Sequence, residues 1–119
     1  SDEVLLMGAT AGPAIMEAIG SSSRAGDLTA GVIFDAVASE MTDCTLDWIS
    51  AYFATALRRE GRRLTLRRFS AGYADFGLEN QDFIYKELEL DRIGVRLTES
   101  CMLVPEKSVT AIAGIEKIR

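Results

Sequence analysis

Arg68 and Tyr73 bracket a stretch, Arg67-Arg68-Phe69-Ser70-Ala71-Gly72-Tyr73, whose residue types and spacing could hold a small molecule. It leaves an alternating pattern, with Leu64 and Leu66 apolar and Thr65 and Arg67 polar, and ends in three small residues followed by an aromatic. Gly72 lacks a Cβ, so a ligand can come close to the main-chain N–H and C=O there. Arg68 offers a planar fork of donors suited to a carboxylate, and Tyr73 a flat face and a hydroxyl. Together these suit a small zwitterionic molecule carrying a ring system, held at one end by Arg68 and lying on Tyr73 against bare backbone. The structural alternative is a twisted edge strand that ends in a glycine turn.

Other chemistry is narrowed by what the chain lacks. It contains no histidine, which removes His-based triads and the commonest transition-metal ligand. Cys44 and Cys101 form no C-x-x-C unit, so neither a zinc site nor a redox pair is indicated, and buried thiols in a reducing compartment are expected. Gly8-Ala9-Thr10-Ala11-Gly12-Pro13 has neither the glycine spacing nor the Lys-Ser/Thr pair of a phosphate loop, and reads as a turn with Pro13 opening a helix. No catalytic acid, base or nucleophile and no metal ligand set emerges.

A net charge of -5 argues against a nucleic-acid partner, since neutralising phosphates needs clustered cations. One cluster exists, Arg58, Arg59, Arg62, Arg63, Arg67 and Arg68. The first four read as a helix end and turn, where cations complement the helix dipole. Strand alternation sends Arg67 and Arg68 to opposite faces, so at most one of them is expected to line a site. No apolar run approaches the roughly 18 residues of a membrane span, and no signal-peptide pattern opens the sequence, so a cytoplasmic location is expected.

The elements that must position Arg68 follow from periodicity. At 119 residues the chain reads as one domain, residues 1–119. Val4–Met7 reads as a buried strand and Ala14–Ile19 as a short helix, with Gly20-Ser21-Ser22-Ser23 a flexible connection. Asp27 is a helix start, and from Leu28 to about Glu60 Ile33, Val37, Met41, Cys44, Trp48 and Tyr52 recur at helical spacing. Unbroken, that helix would be on the order of 48 Å long; a break near 42–45 is the alternative. Its apolar face, with Phe34, Trp48, Phe53 and Leu57, is expected to be core, and Gly61 ends it. After a turn at 74–77, Leu78 to about Leu90 reads as an amphipathic helix with Phe83, Ile84 and Leu88 inward. Arg92–Leu97 and Cys101–Val104 read as strands, and Ser108–Ile115 as a last strand pairing back across a turn at Pro105-Glu106-Lys107. The fold class expected is α+β: a mostly antiparallel sheet backed by one long and one shorter helix.

Arg68-Phe69-Ser70-Ala71-Gly72-Tyr73, the helix opening Leu78-Glu79-Asn80-Gln81, and Ile93-Gly94-Val95-Arg96-Leu97-Thr98-Glu99-Ser100-Cys101-Met102-Leu103-Val104-Pro105-Glu106-Lys107-Ser108-Val109 occur in that order. The combination resembles the activation domain of vitamin B12-dependent methionine synthase, and is most similar to its short stand-alone relatives. The match covers about Arg67 to Ile115, with the long helix fitting more loosely. The resemblance implies a domain that binds S-adenosylmethionine and presents its methyl group to cobalamin carried by a partner, a methionine synthase or related corrinoid protein. A flavodoxin-like donor would supply the electron that accompanies reactivation. It also implies that Arg68 holds the methionine carboxylate, that Ser70 and Gly72 offer backbone contacts, and that Tyr73 bounds the ligand. The missing histidine agrees with a cobalt ligand that belongs to the partner.

Two carboxylates stay open within that resemblance. Glu99 could face the cationic sulfonium or amino group, or meet the corrinoid partner; equally, it could accept backbone N–H groups in the turn Thr98-Glu99-Ser100. Asp75 allows the same two readings, with the turn favoured. Longer members of the family add an upstream acidic contact and a later aromatic one that no residue here clearly supplies, so a shortened domain is expected. A docking domain for a corrinoid or methyltransferase partner, with no ligand of its own, is the functional alternative.

Overall fold

A computed structural model describes residues 3–72 and 76–118. The chain runs β1 (Glu3–Thr10), α1 (Pro13–Arg24), α2 (Leu28–Arg59), β2 (Arg62–Phe69), α3 (Asn80–Leu88), a 3-10 turn (Leu90–Ile93), β3 (Arg96–Leu97), β4 (Leu103–Val104) and β5 (Ser108–Lys117). The class is α+β with antiparallel pairing throughout the described strands. A three-stranded sheet has the order β1-β5-β2, and β3 and β4 form a separate two-stranded piece.

The register sorts the sheet into two faces. Met7 pairs with Ala111, Leu5 with Ala113 and Ala9 with Val109, and these residues pack with Leu46 and Ile49 of α2. Gly8 pairs with Thr110 and faces the other way: a Cβ there would lie 2.8 Å from Leu90 Cδ2 and 3.3 Å from Leu88 Cδ1. The side chain of Thr110 donates to Gln81 Oε1 on α3. Hence α2 covers one face while α3 and the 3-10 turn cover the other, and the helices enclose the sheet instead of backing one side of it. Leu90, Val95 and Leu103 form a second small cluster beneath the β3–β4 hairpin.

α2 has the expected bounds and does not break at 42–45. Asp27 caps it by accepting from the Ala30 amide at 3.0 Å, and Gly61 follows its end at φ 73°, a left-handed value that glycine adopts without strain. Removing the cap with Asp27→Ala should cost about 1 kcal/mol of stability, read as a lower urea midpoint at constant m-value. The Gly20-Ser21-Ser22-Ser23 segment, expected as a connection, is helical within α1. Its tight approach explains that: Gly31 of α2 lies against Ser22 and the Ile19 carbonyl.

The buried face of α2 is not the expected one. Gly31, Ala38, Thr42, Leu46 and Leu57 pack inward, whereas Ile33, Val37, Met41, Trp48 and Tyr52 are exposed and Phe34 and Phe53 only partly covered. Leu46 meets the small sheet residues Ala111 and Ala113, while Gly31 lies against α1. Cys44, expected as a buried thiol, is exposed and Cys101 half-buried. A hydrogen bond to Glu40 Oε1 at 3.5 Å is the chief cause holding the Cys44 thiol above its ordinary pKa. On α3, Ile84 is buried but Phe83 is exposed; Gln81 takes the inward place.

Three strand expectations are corrected. Residues 90–93 form the 3-10 turn, leaving only Arg96–Leu97 as β3. The hairpin closes over Thr98–Met102, where the Thr98 amide donates to the Met102 carbonyl at 2.9 Å. The last strand, β5, pairs with β1 and β2 and not back onto β4. Arg62 and Arg63, read as a helix end and turn, already belong to β2 and lie opposite Lys117 and Glu116. Between Leu64, opposite Ile115, and Arg68, opposite Ala113, β2 advances four residues while β5 advances two. The Thr65 hydroxyl fills this bulge, accepting from the Gly114 amide and donating to the Arg67 carbonyl.

Candidate functional site

β2 ends at Phe69, opposite Ile112, whereas β5 begins at Ser108. On the β2 side, residues 108–110 therefore run past the end of their neighbour, and a cleft occupies the gap. Ser70 closes part of it, its hydroxyl donating to the Thr110 carbonyl at 2.8 Å. The cleft encloses about 590 Å³, within the range of small-molecule sites. Its walls are Asp43 and Leu46 from α2, residues 67–71, Leu78 with Gln81 of α3, Met102 and Leu103 at the start of β4, Glu106, and residues 108–110 of β5.

Arg68 stands at this wall with 29% of its side chain exposed. Its Nη1 lies 2.9 Å from Asp47 Oδ1 and donates to Ser50 Oγ at 3.3 Å, so α2 fixes the direction of the guanidinium. Asp47 and Ser50 line a neighbouring hollow and not the cleft, so Arg68 stands between the two with its guanidinium tied to α2. That hollow is smaller, about 370 Å³, and Ala51 and Ala54 also line it.

Arg67 lines the same cleft as Arg68, contrary to the expectation that only one of them would. The alternation holds, since Arg67 lies over the Phe69 ring at 5.3 Å while Arg68 faces α2. The cleft passes round the end of an edge strand and so meets both faces.

Ser70 and Ala71 line the cleft, Ala71 buried. Gly72 follows at φ 92°, where a side chain would be strained, and a Cβ would come within 3.3 Å of Leu78 Cδ1. Its N–H is used internally, donating to the Phe76 carbonyl at 2.8 Å. Tyr73 and Asp75 lie outside the described residues. Glu99 is exposed in the β3–β4 turn and is not among the cleft-lining residues; the acceptor there is Thr98 Oγ1, bonded to the Met102 amide at 3.0 Å. The structure thus gathers Arg68, Ser70 and Ala71 at the cleft, and neither Gly72, next in the chain, nor Glu99 is among its lining residues.

Sequence reasoning missed the contributions of Asp43, Asp47, Gln81 and Glu106. Asp43 and Asp47 are spaced i, i+4 on α2, which puts them on one flank of the helix, and that spacing was the available signal. Gln81 is buried and bonded to Thr110, tying α3 to the strand that floors the cleft. Among the described residues no group of three or more Cys, Asp or Glu is placed to hold a metal. No helix among them is long and apolar enough to cross a membrane. Comparison with protein-family models and with curated proteins finds no match to this chain.

Proposed function

We propose that this chain is an S-adenosylmethionine-binding module of the methionine synthase activation-domain type, supporting reductive remethylation of cobalamin held by a methionine synthase or related corrinoid protein. The observation that carries this reading is an arginine, held by α2, at the wall of a ligand-sized cleft beside the small residues Ser70 and Ala71. The ordered motifs from Arg68 to Val109 give the ligand its identity. In this reading Arg68 holds the methionine carboxylate and Ser70-Ala71-Gly72 lies against the body of the ligand. Asp43 and Glu106, both at the cleft, supply negative charge toward its cationic end. The chain contributes position and not proton transfer: it sets a methyl donor in place for a cobalt centre carried by the partner.

A second reading has its own observation. Arg68 is already paired with Asp47, and the Gly72 N–H is already used, which suits a docking domain that needs no ligand. Thermal unfolding with S-adenosylmethionine and S-adenosylhomocysteine separates the two. Ligand at about 100 times its dissociation constant adds about 2.7 kcal/mol to stability, a rise of several degrees. The expected result is that rise with at least one of the two compounds. No shift, together with association with a cobalamin-loaded corrinoid protein, would replace the first reading by the second.

A further inference from the structure

We propose that two copies of this chain associate through antiparallel pairing of α2 along its solvent-facing apolar seam. Phe34, Val37, Met41, Cys44 and Trp48, continued by Ala51 and Thr55, recur at alternating steps of three and four residues. That is the 3.5-residue repeat by which one helix packs along another. This seam is exposed, whereas Gly31, Ala38, Thr42 and Leu46 are buried, Gly31 against α1 and Leu46 against the sheet. Trp48 is 68% exposed, Tyr52 60% and Met41 59%. Trp48 and Tyr52 stack with ring centroids 5.9 Å apart, which pre-orders the surface before any partner arrives.

The size of the face suits a dimer. Taking about 200 Å² for each aromatic side chain, the exposed parts of Phe34, Trp48 and Tyr52 alone leave on the order of 330 Å². With Ile33, Val37 and Met41 the strip reaches on the order of 600 Å², the upper end for a monomer. It approaches the roughly 800 Å² that each partner gives to a standard interface.

A second α2 is the occupant because the seam complements itself. In an antiparallel register that brings Trp48 against Cys44 of the second copy, Met41 meets Ala51 and Val37 meets Thr55. Each layer then joins a larger side chain to a smaller one. Phe34 meets Arg58, an aromatic face for a guanidinium. Glu40 then lies near Ala54 of the other copy. A one-heptad shift that pairs Glu40 with Asp47 would make two carboxylate contacts where this register makes one, between the two Asp47 side chains. Near the dyad Asp47 approaches its counterpart with its charge offset by Arg68. The helix dipoles oppose each other, which is favourable.

Sedimentation velocity of the full chain, without added ligand, tests this. The expected result is a dimer at tens of micromolar, with Trp48→Glu and Met41→Glu each raising the dissociation constant about tenfold or more at unchanged circular dichroism. Both residues are exposed, so the substitutions leave the core untouched. Orientation is read by oxidation in a Cys44→Ser, Cys101→Ser background. Mixed Val37→Cys and Thr55→Cys chains should cross-link to each other, and neither should cross-link to itself. A monomer at these concentrations, a dimer indifferent to both glutamates, or self-cross-linking of Val37→Cys would each overturn the proposal.

Discussion

Arg68→Ala is expected to weaken binding of S-adenosylmethionine by about 10- to 150-fold in calorimetry, the effect of losing a charge-assisted contact of about 1.5–3 kcal/mol. The fold should survive the change. The ion pair that Arg68 makes with Asp47 is partly solvated on the arginine side and 69% exposed on the aspartate side, a setting in which such pairs contribute about 0–1 kcal/mol. A melting temperature within a few degrees of the parent is therefore part of the prediction. Asp47→Asn serves as the control, because it removes the internal competitor without removing the fork and should leave affinity equal or higher. Unchanged affinity in Arg68→Ala would strip that residue of its proposed role.

Ile84→Ala should be among the most damaging single changes to stability. Ile84 is 1% exposed on α3, the element that closes the second face of the sheet. Truncating a buried isoleucine to alanine costs about 2–5 kcal/mol, against a total of about 5–15 kcal/mol for a domain of ordinary stability. Urea unfolding should show the midpoint drop with little change in slope. Because Gln81 sits on the same helix and holds Thr110, the cleft should loosen along with it. A loss below about 1 kcal/mol would mean that α3 is not fixed by this packing. Trp48→Ala, a far larger truncation, should cost less, since most of Trp48 already faces water.

That contrast marks where sequence reading succeeds and where it stops. The ends of α2 were legible because Asp27 and Gly61 act locally, through a cap and a left-handed φ. Its inward face was not, because the helix carries two stripes at helical spacing. The bulky stripe of Val37, Met41 and Trp48 satisfies the usual expectation for core, while the stripe of Gly31, Ala38, Thr42 and Leu46 is the buried one, Gly31 against α1 and Leu46 against the alanines of the sheet. Which stripe wins depends on a partner surface dozens of residues away. Strand pairing failed for the same reason: β5 looks like the return arm of a hairpin, yet its partners are β1 and β2.

At the site, the run from Arg68 to Gly72 announced itself by composition alone, since an alternating strand seldom ends in small residues beside a charge. The company it keeps did not. Asp47 and Ser50 reach Arg68 only because α2 lies across that face of β2, and Gln81 reaches the cleft only because α3 lies across the other. Glu99 is exposed in the β3–β4 turn and outside the cleft lining, although Met102 of the same turn is part of it.

The bulge at Thr65 has a bearing on Arg68 that turns on arithmetic. β2 there carries a surplus of two residues relative to β5, an even number, so Leu64 and Arg68 keep the same parity and share the side of the sheet that α2 occupies. A surplus of one would have inverted everything downstream, handing Arg67 to Asp47 and swinging Arg68 under α3. Evolution can lengthen or shorten this strand only in pairs of residues if the guanidinium is to keep its post.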